Sequence, residues 1–271
     1  MRPTEAFNPL SENIDIADSA EIVNILQSVD SEIIKGWEGY PSFESKEVVQ
    51  SLTIMAETFA GAVVRGDKVV LGGCGTSGRL AFFCTRIFNR ILQREFSKEA
   101  CFEYLMAGGD AALFVSQELA EDQPALGASD LDTVLQRHKK NKANGKAVFV
   151  GITCGLSAPY VKGQLEKALE DDDYSSVILI GHNPCELARP NFRDIARKVK
   201  ESKKGIVVTP VMGGETISGS SRMKGGSGTL ISLHSAFLAA LAATFDNIQL
   251  TESVLEEILA LFGKAIGDIY G

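Results

Sequence analysis

Apolar residues fall at helical spacing in the first quarter of the chain, form short continuous runs in the middle, and return to helical spacing at the end. Residues 1–17 predict an extended, turn-rich arm. Ile22, Ile25, Leu26, Val29 and Ile33 share one face of a helix over about 20–35, with Asp18 or Ser19 able to cap it. Val48, Leu52, Met55, Phe59 and Val63 mark a second helix over about 46–64. Then the period changes. Strands are predicted at 68–71, 102–106, 147–152, 177–180 and 206–208. Helices are predicted at about 78–93, 111–119, 130–139 and 159–170, and after the strands at 226–245 and 251–269. Lys198–Lys204 reads as a solvated loop or a helix end. Strands alternating with helices predict an α/β protein with a doubly wound, largely parallel five-stranded sheet flanked by helices. Strand runs that are apolar throughout fit a sheet covered on both faces. Such a sheet binds ligands at the carboxyl ends of its strands, near a topological switch point.

Three loops rich in Gly, Ser and Thr stand out against this background. Gly72–Arg79 follows the first strand, Thr153–Pro159 follows the third, and Ser218–Gly226 precedes the long helix near the end. Glycine lets backbone come close to a ligand, while hydroxyls and free helix N-terminal amides donate to phosphate. Three such loops point to one phosphate-bearing ligand held from several sides. The first loop has the G-x-G-x-x-G spacing but no acidic residue about twenty positions on at a strand end. It also lacks the Gly-Lys-Ser/Thr ending of a Walker loop. Thr76 and Ser77 at a helix start either face a ligand or simply cap the turn. Ser157, before Ala158-Pro159, is placed as an N-cap, and Thr153 at the strand end can point into the same cleft. In the third loop, Arg222 and Lys224 can pair with a phosphate or with a carboxylate of the protein. Glu121, by composition alone, is an ordinary solvated acid.

Composition narrows the class. The chain has 271 residues, 45% hydrophobic and 23% charged, with formal charge −8. That balance argues against nucleic acid or an anionic membrane as partner. Five widely spaced cysteines without metal-ligand spacing read as reduced thiols of a cytosolic protein. The N-terminus has no apolar signal region. The segment 225–244 is uncharged and long enough to cross a bilayer. Its Gly, Ser, Thr and His content favours a core or subunit-interface helix instead. The three histidines have no metal spacing, and no Ser-His-Asp arrangement can be assigned.

With these residues in place, the chain resembles the sugar isomerase (SIS) superfamily. Within it, it is most similar to the glucokinase regulatory proteins and the N-acetylmuramic acid 6-phosphate etherases. The likeness rests on Asn8-Pro9-Leu10, Ile14-Asp15, Gly75-Thr76-Ser77-Gly78-Arg79, Ala107-Gly108-Gly109-Asp110, Glu121-Asp122, Gly155-Leu156-Ser157-Ala158-Pro159-Tyr160, Asn183-Pro184 and Ser218–Ser227, in family order. The resemblance implies a flavodoxin-like three-layer αβα domain over 46–271. Residues 1–45 would be an arm and helix packing on that domain or on a partner subunit.

The resemblance also implies a hexose phosphate ligand, fructose 6-phosphate or fructose 1-phosphate, and no cofactor. Carried over, Gly75, Thr76, Ser77, Gly78, Thr153, Gly155, Ser157, Ser218, Ser220, Ser221 and Lys224 would form the ligand site, with Glu121 accepting from sugar hydroxyls. A hexokinase or glucokinase would be the partner, in the cytoplasm, or in the nucleus for a true glucokinase regulator. The alternative is an etherase-like lyase or a sugar-phosphate isomerase with Glu121 as its acid–base group. The etherases use a second glutamate, and the ungapped match to it here is Ile87, which cannot move a proton. Regulatory proteins of this type carry two such domains and a lid. This chain is therefore expected to be either a fragment or a single-domain relative that pairs as a homodimer.

Overall fold

A computed structural model describes residues 1–115, 117, 119–219 and 221–270. The strands β1 (Lys68–Gly73), β2 (Phe102–Met106), β3 (Ala147–Ile152), β4 (Tyr174–Ile180) and β5 (Gly205–Val208) form one sheet in the order β2-β1-β3-β4-β5. All four pairings are parallel, with Gly73 opposite both Met106 and Ile152 at the carboxyl ends. Alternate strand residues feed two cores. Val69, Leu71, Val148, Val150 and Ile178 face one side, and Val70, Phe149, Val177 and Leu179 the other.

The first side is covered by α2 (Lys46–Arg65), α3 (Gly75–Phe96), α7 (Lys224–Phe245) and α8 (Glu252–Ile269), with α1 (Ser19–Lys35) against α7 and α8. The apolar stripe of α2 is buried as its spacing predicts, and Asp18 and Glu21 close a capping box on α1. α2 and α7 have the length and hydropathy of membrane spans, yet they pack on each other in the core. The other side is covered by α4 (Pro124–Asn141), α5 (Pro159–Glu170) and α6 (Pro190–Glu201).

Two expected features differ. The predicted helix at 111–119 is replaced by short 3-10 turns at Asp110–Leu113 and Ala120–Asp122, with Ser116 and Glu118 outside the described residues. α6 was not anticipated beyond a helix end at Lys198. Its charged sequence hides a narrow stripe, Phe192, Ile195, Ala196 and Val199, that is fully buried at helical spacing. The expected arm is tied down by its own chain, because its 3-10 turns at Pro3–Glu5 and Pro9–Ser11 bury Thr4, Ala6, Asn8 and Ser11.

Candidate functional site

In this strand order the chain leaves β1 toward β2 and leaves β3 toward β4. The two connections, α3 and α5, lie on opposite faces, so a crevice opens between the ends of β1 and β3. The first two Gly/Ser/Thr loops sit there, and the third reaches over from the start of α7. A cleft of about 230 Å³ is lined by Cys74, Gly75, Thr76, Ser77, Glu121, Thr153, Gly155, Ser157, Ser221 and Arg222, among others. A second lobe of about 580 Å³ shares Gly75, Thr76, Glu121 and Arg222 and continues to Arg79, Ala107 and Leu119. The lobes together suit a small ligand; such clefts hold about 300–1,000 Å³.

α3 begins at Gly75, three residues earlier than predicted, with only Cys74 between it and the strand end and with Gly75 at φ +50°. The first helical amides, Gly75 to Ser77, therefore face the cleft without intrahelical acceptors. They form an anion-binding helix end, and no side chain of the preceding Cys74 caps them. In the second loop the Thr153 hydroxyl accepts from the amides of Ser157 (3.2 Å) and Ala158 (3.4 Å). Thr153 thus shapes the loop. The N-cap of α5 is Ala158, so the expected capping role of Ser157 is not taken and its hydroxyl stays at the cleft.

Three expected site residues lie elsewhere. Gly78 is buried behind the cleft, where a Cβ would come within 2.6 Å of Met106 Cγ; its role is close helix–strand packing. Ser218 is exposed and lines neither lobe. Lys224 is 1% exposed. Its Nζ donates to Glu32 (2.6 Å) on α1 and to the Gly214 carbonyl (3.0 Å). α7 starts at Lys224, two residues before the predicted start, and this turns the side chain inward. Ser220 lies outside the described residues. The cation that lines both lobes is Arg222, which the sequence singled out only as one of two charges in that loop; Arg79 lines the second lobe alone.

The sequence reading missed Glu215 altogether. Its carboxylate accepts from the amides of Lys224 (2.7 Å) and Gly225 (3.1 Å) and so caps α7 from outside the loop. Burial pushes its carboxyl up, against the downward pull of those amides. Nothing in local spacing marks this residue, since it acts nine and ten positions ahead. At the cleft edge, burial pushes the Cys74 thiol up to about 12, helped by the nearby Glu121 and Asp122 charges.

Behind the cleft a buried polar chain runs into the core. Ser77 Oγ lies 3.8 Å from Cys154 Sγ, which lies 3.8 Å from Thr229 Oγ1, itself 3.2 Å from His182 Nε2. The Pro210 carbonyl, 3.2 Å from Nδ1, can only accept, so the His182 proton sits on Nδ1. Burial pushes His182 down to about 4 from an ordinary 6.5. The unfolded chain therefore binds a proton below about pH 6.5 that the folded chain refuses until about pH 4. This stability is present above pH 6.5 and is lost as pH falls. Between pH 7 and 5, urea unfolding should lose about 2 kcal/mol more in the wild type than in His182→Gln. Equal losses in the two proteins would contradict the buried neutral imidazole.

A cavity of about 500 Å³ at the opposite ends of the strands also carries cations, Arg65, Lys68, Lys98 and Lys142. Arg65 pairs with Asp67 (2.7 Å), and two of the lysines answer backbone carbonyls there. Lys142 Nζ donates to the Arg65 carbonyl at the end of α2, and Lys68 Nζ donates to the Ala100 carbonyl (3.1 Å). The two poles are thus opposite in kind, with free amides at one and satisfied carbonyls at the other. Among the described residues no group of His, Cys, Asp or Glu is placed to hold a metal ion.

A parallel sheet of this order, covered by helices on both faces and with Gly/Ser/Thr loops and a helix start meeting at its switch point, is a three-layer α/β fold of the kind SIS domains have. More particularly, residues 49–169 match the glucokinase regulatory protein N-terminal SIS domain. The chain is 37% identical to the glucokinase regulatory protein of Xenopus laevis and 36% identical to that of Mus musculus. Each match covers 97% of this chain and 44% of the relative. It is 29% identical to the N-acetylmuramic acid 6-phosphate etherase of Aliivibrio fischeri (strain MJ11), over 89% of this chain and 70% of that protein. The chain thus spans less than half the length of the regulatory proteins it matches.

Proposed function

We propose that this chain is a regulatory domain that binds fructose 6-phosphate or fructose 1-phosphate and modulates a hexose kinase. The observation that carries this reading is convergence on one cleft. The amides of Gly75–Ser77, the hydroxyls of Thr76, Ser77, Thr153, Ser157 and Ser221, and the Arg222 guanidinium all line it. That donor set suits a phosphate. Glu121, which lines both lobes, is the acceptor for sugar hydroxyls. Similarity to glucokinase regulatory proteins over nearly the whole chain supports a kinase as partner, in the cytoplasm or the nucleus. The ligand would shift the conformation that the kinase meets. A second SIS domain, from another copy or another domain, is proposed to complete the sugar site.

A lyase or isomerase would rely on Glu121. The position matched to the second etherase glutamate is Ile87, half-exposed on α3 and lining neither lobe. General acid–base help is worth about 10²–10⁴-fold in rate, and a hydrocarbon supplies none of it. The test is thermal unfolding against fructose 1-phosphate, fructose 6-phosphate, glucosamine 6-phosphate and N-acetylmuramic acid 6-phosphate, with product analysis of each mixture. A ligand at 100 times its dissociation constant adds about 2.7 kcal/mol of stability. The expected result is a shift with a fructose phosphate that is recovered unchanged. Turnover of N-acetylmuramic acid 6-phosphate that vanishes in Glu121→Gln would replace this reading with the enzymatic one.

A further inference from the structure

Two motifs of the sequence, Asn8-Pro9 and Asn183-Pro184, have no place in the cleft, yet both asparagines are almost fully buried. Asn183 follows β4. Its Oδ1 accepts from the Thr4 amide (3.0 Å), and its Nδ2 donates to Thr4 Oγ1 (2.8 Å) and to the Gly155 carbonyl (3.2 Å). One side chain thus joins the N-terminal arm to the second cleft loop. Asn8 joins the arm to the segment that leads into the third. Its Nδ2 donates to Glu32 (2.8 Å) and to the Gly214 carbonyl (3.0 Å), the two acceptors that also hold Lys224. A Cβ at Gly214 would run into the Ala6 carbonyl, so arm and loop lie in direct backbone contact there. Glu215, the next residue, caps α7 just behind Ser221 and Arg222.

We infer that the N-terminal arm is a positioning strap for the phosphate cleft, with Thr4, Asn8 and Asn183 as its positioning residues, and that arm docking and ligand binding favour each other. The inference rests on the reading of the cleft as a phosphate site. The physical reason is ordering. Two loops that must present donors to one anion lose conformational freedom on binding, and a strap fastened to both has already restricted them. Linkage requires the reverse as well, so a bound anion must hold the arm down by the same factor.

The test uses the full chain, titrated with fructose 6-phosphate and with inorganic phosphate. Thr4→Val keeps the shape and the amide of residue 4 but loses the hydroxyl that Asn183 donates to. It is expected to weaken binding by about fivefold or more, while Thr4→Ser restores wild-type affinity. In the wild type, saturating ligand is expected to slow hydrogen exchange at the Thr4 and Leu10 amides, both bonded to these asparagines. Unchanged affinity in Thr4→Val, with arm exchange indifferent to ligand, would overturn the strap while leaving the cleft intact. Wild-type chain that binds neither probe would overturn the cleft reading itself, and the strap with it. Should Thr4→Val fail to fold, the exchange measurement on the wild type decides alone.

Discussion

Replacing Lys224 with alanine should lower the melting temperature by about 6–20 °C, the largest effect expected of any single change in the third loop. Lys224 is buried and its Nζ is held by Glu32 and the Gly214 carbonyl. Removing one partner of a buried pair typically costs about 3–5 kcal/mol, because the other is left uncompensated. For a domain of this size each kcal/mol moves the midpoint by about 2–4 °C. Glu32 keeps a bond from Asn8 and some contact with water, which places the expected loss toward the lower end. Thermal unfolding of Lys224→Ala, Glu32→Gln and the double variant would isolate the coupling between them. A melting temperature unchanged in Lys224→Ala, together with lost phosphate binding, would return this lysine to the ligand site.

The second large effect concerns affinity. Ser77→Ala should raise the dissociation constant for a fructose phosphate by about 10- to 100-fold, since hydrogen bonds to charged groups are worth about 1.5–3 kcal/mol. Ser77 is well placed for this. It lies in the first turn of α3 at the cleft, and its protein neighbour is the thiol of Cys154, a weak hydrogen-bonding group that gives up the hydroxyl at little cost. Arg222→Ala should weaken binding as well and make it less sensitive to salt. Ser218→Ala is the control, because Ser218 lies outside both lobes and should leave affinity unchanged. Titration calorimetry reads all three. Equal affinities in wild type and Ser77→Ala would remove the α3 start from the site.

Much of the architecture was legible from short-range pattern. Runs such as Ala147–Ile152, apolar throughout, read as strands covered on both faces and are buried as such, and the stripe on α2 is buried residue for residue. The misses have local causes. α6 is mostly charged, and its narrow apolar stripe looks like a lysine-rich loop until the sheet face it covers is known. The 111–119 segment has apolar composition but sits between two glycines and a proline, in a connection that crosses the sheet end in 3-10 turns.

The site divides along the same line. The sequence by itself determined the type of chemistry, because glycines, hydroxyls and helix starts at strand ends are local features with a local physical reason. It also determined that Thr76, Ser77, Thr153 and Ser157 lie at those ends. Tertiary structure decided which of the neighbouring residues face the ligand. Successive helical residues point about 100° apart, so a helix that begins at Lys224 sends that side chain inward and leaves Arg222 at the cleft. The carboxylates that make this arrangement stable, Glu32 and Glu215, come from a distant helix and from a loop. The same holds for Asn8 and Asn183, which bond across 206 and 179 positions of the chain. No periodicity records such pairings. They exist because the β2-β1-β3-β4-β5 order brings the ends of β1, β3 and β4 together beneath an arm that passes over them.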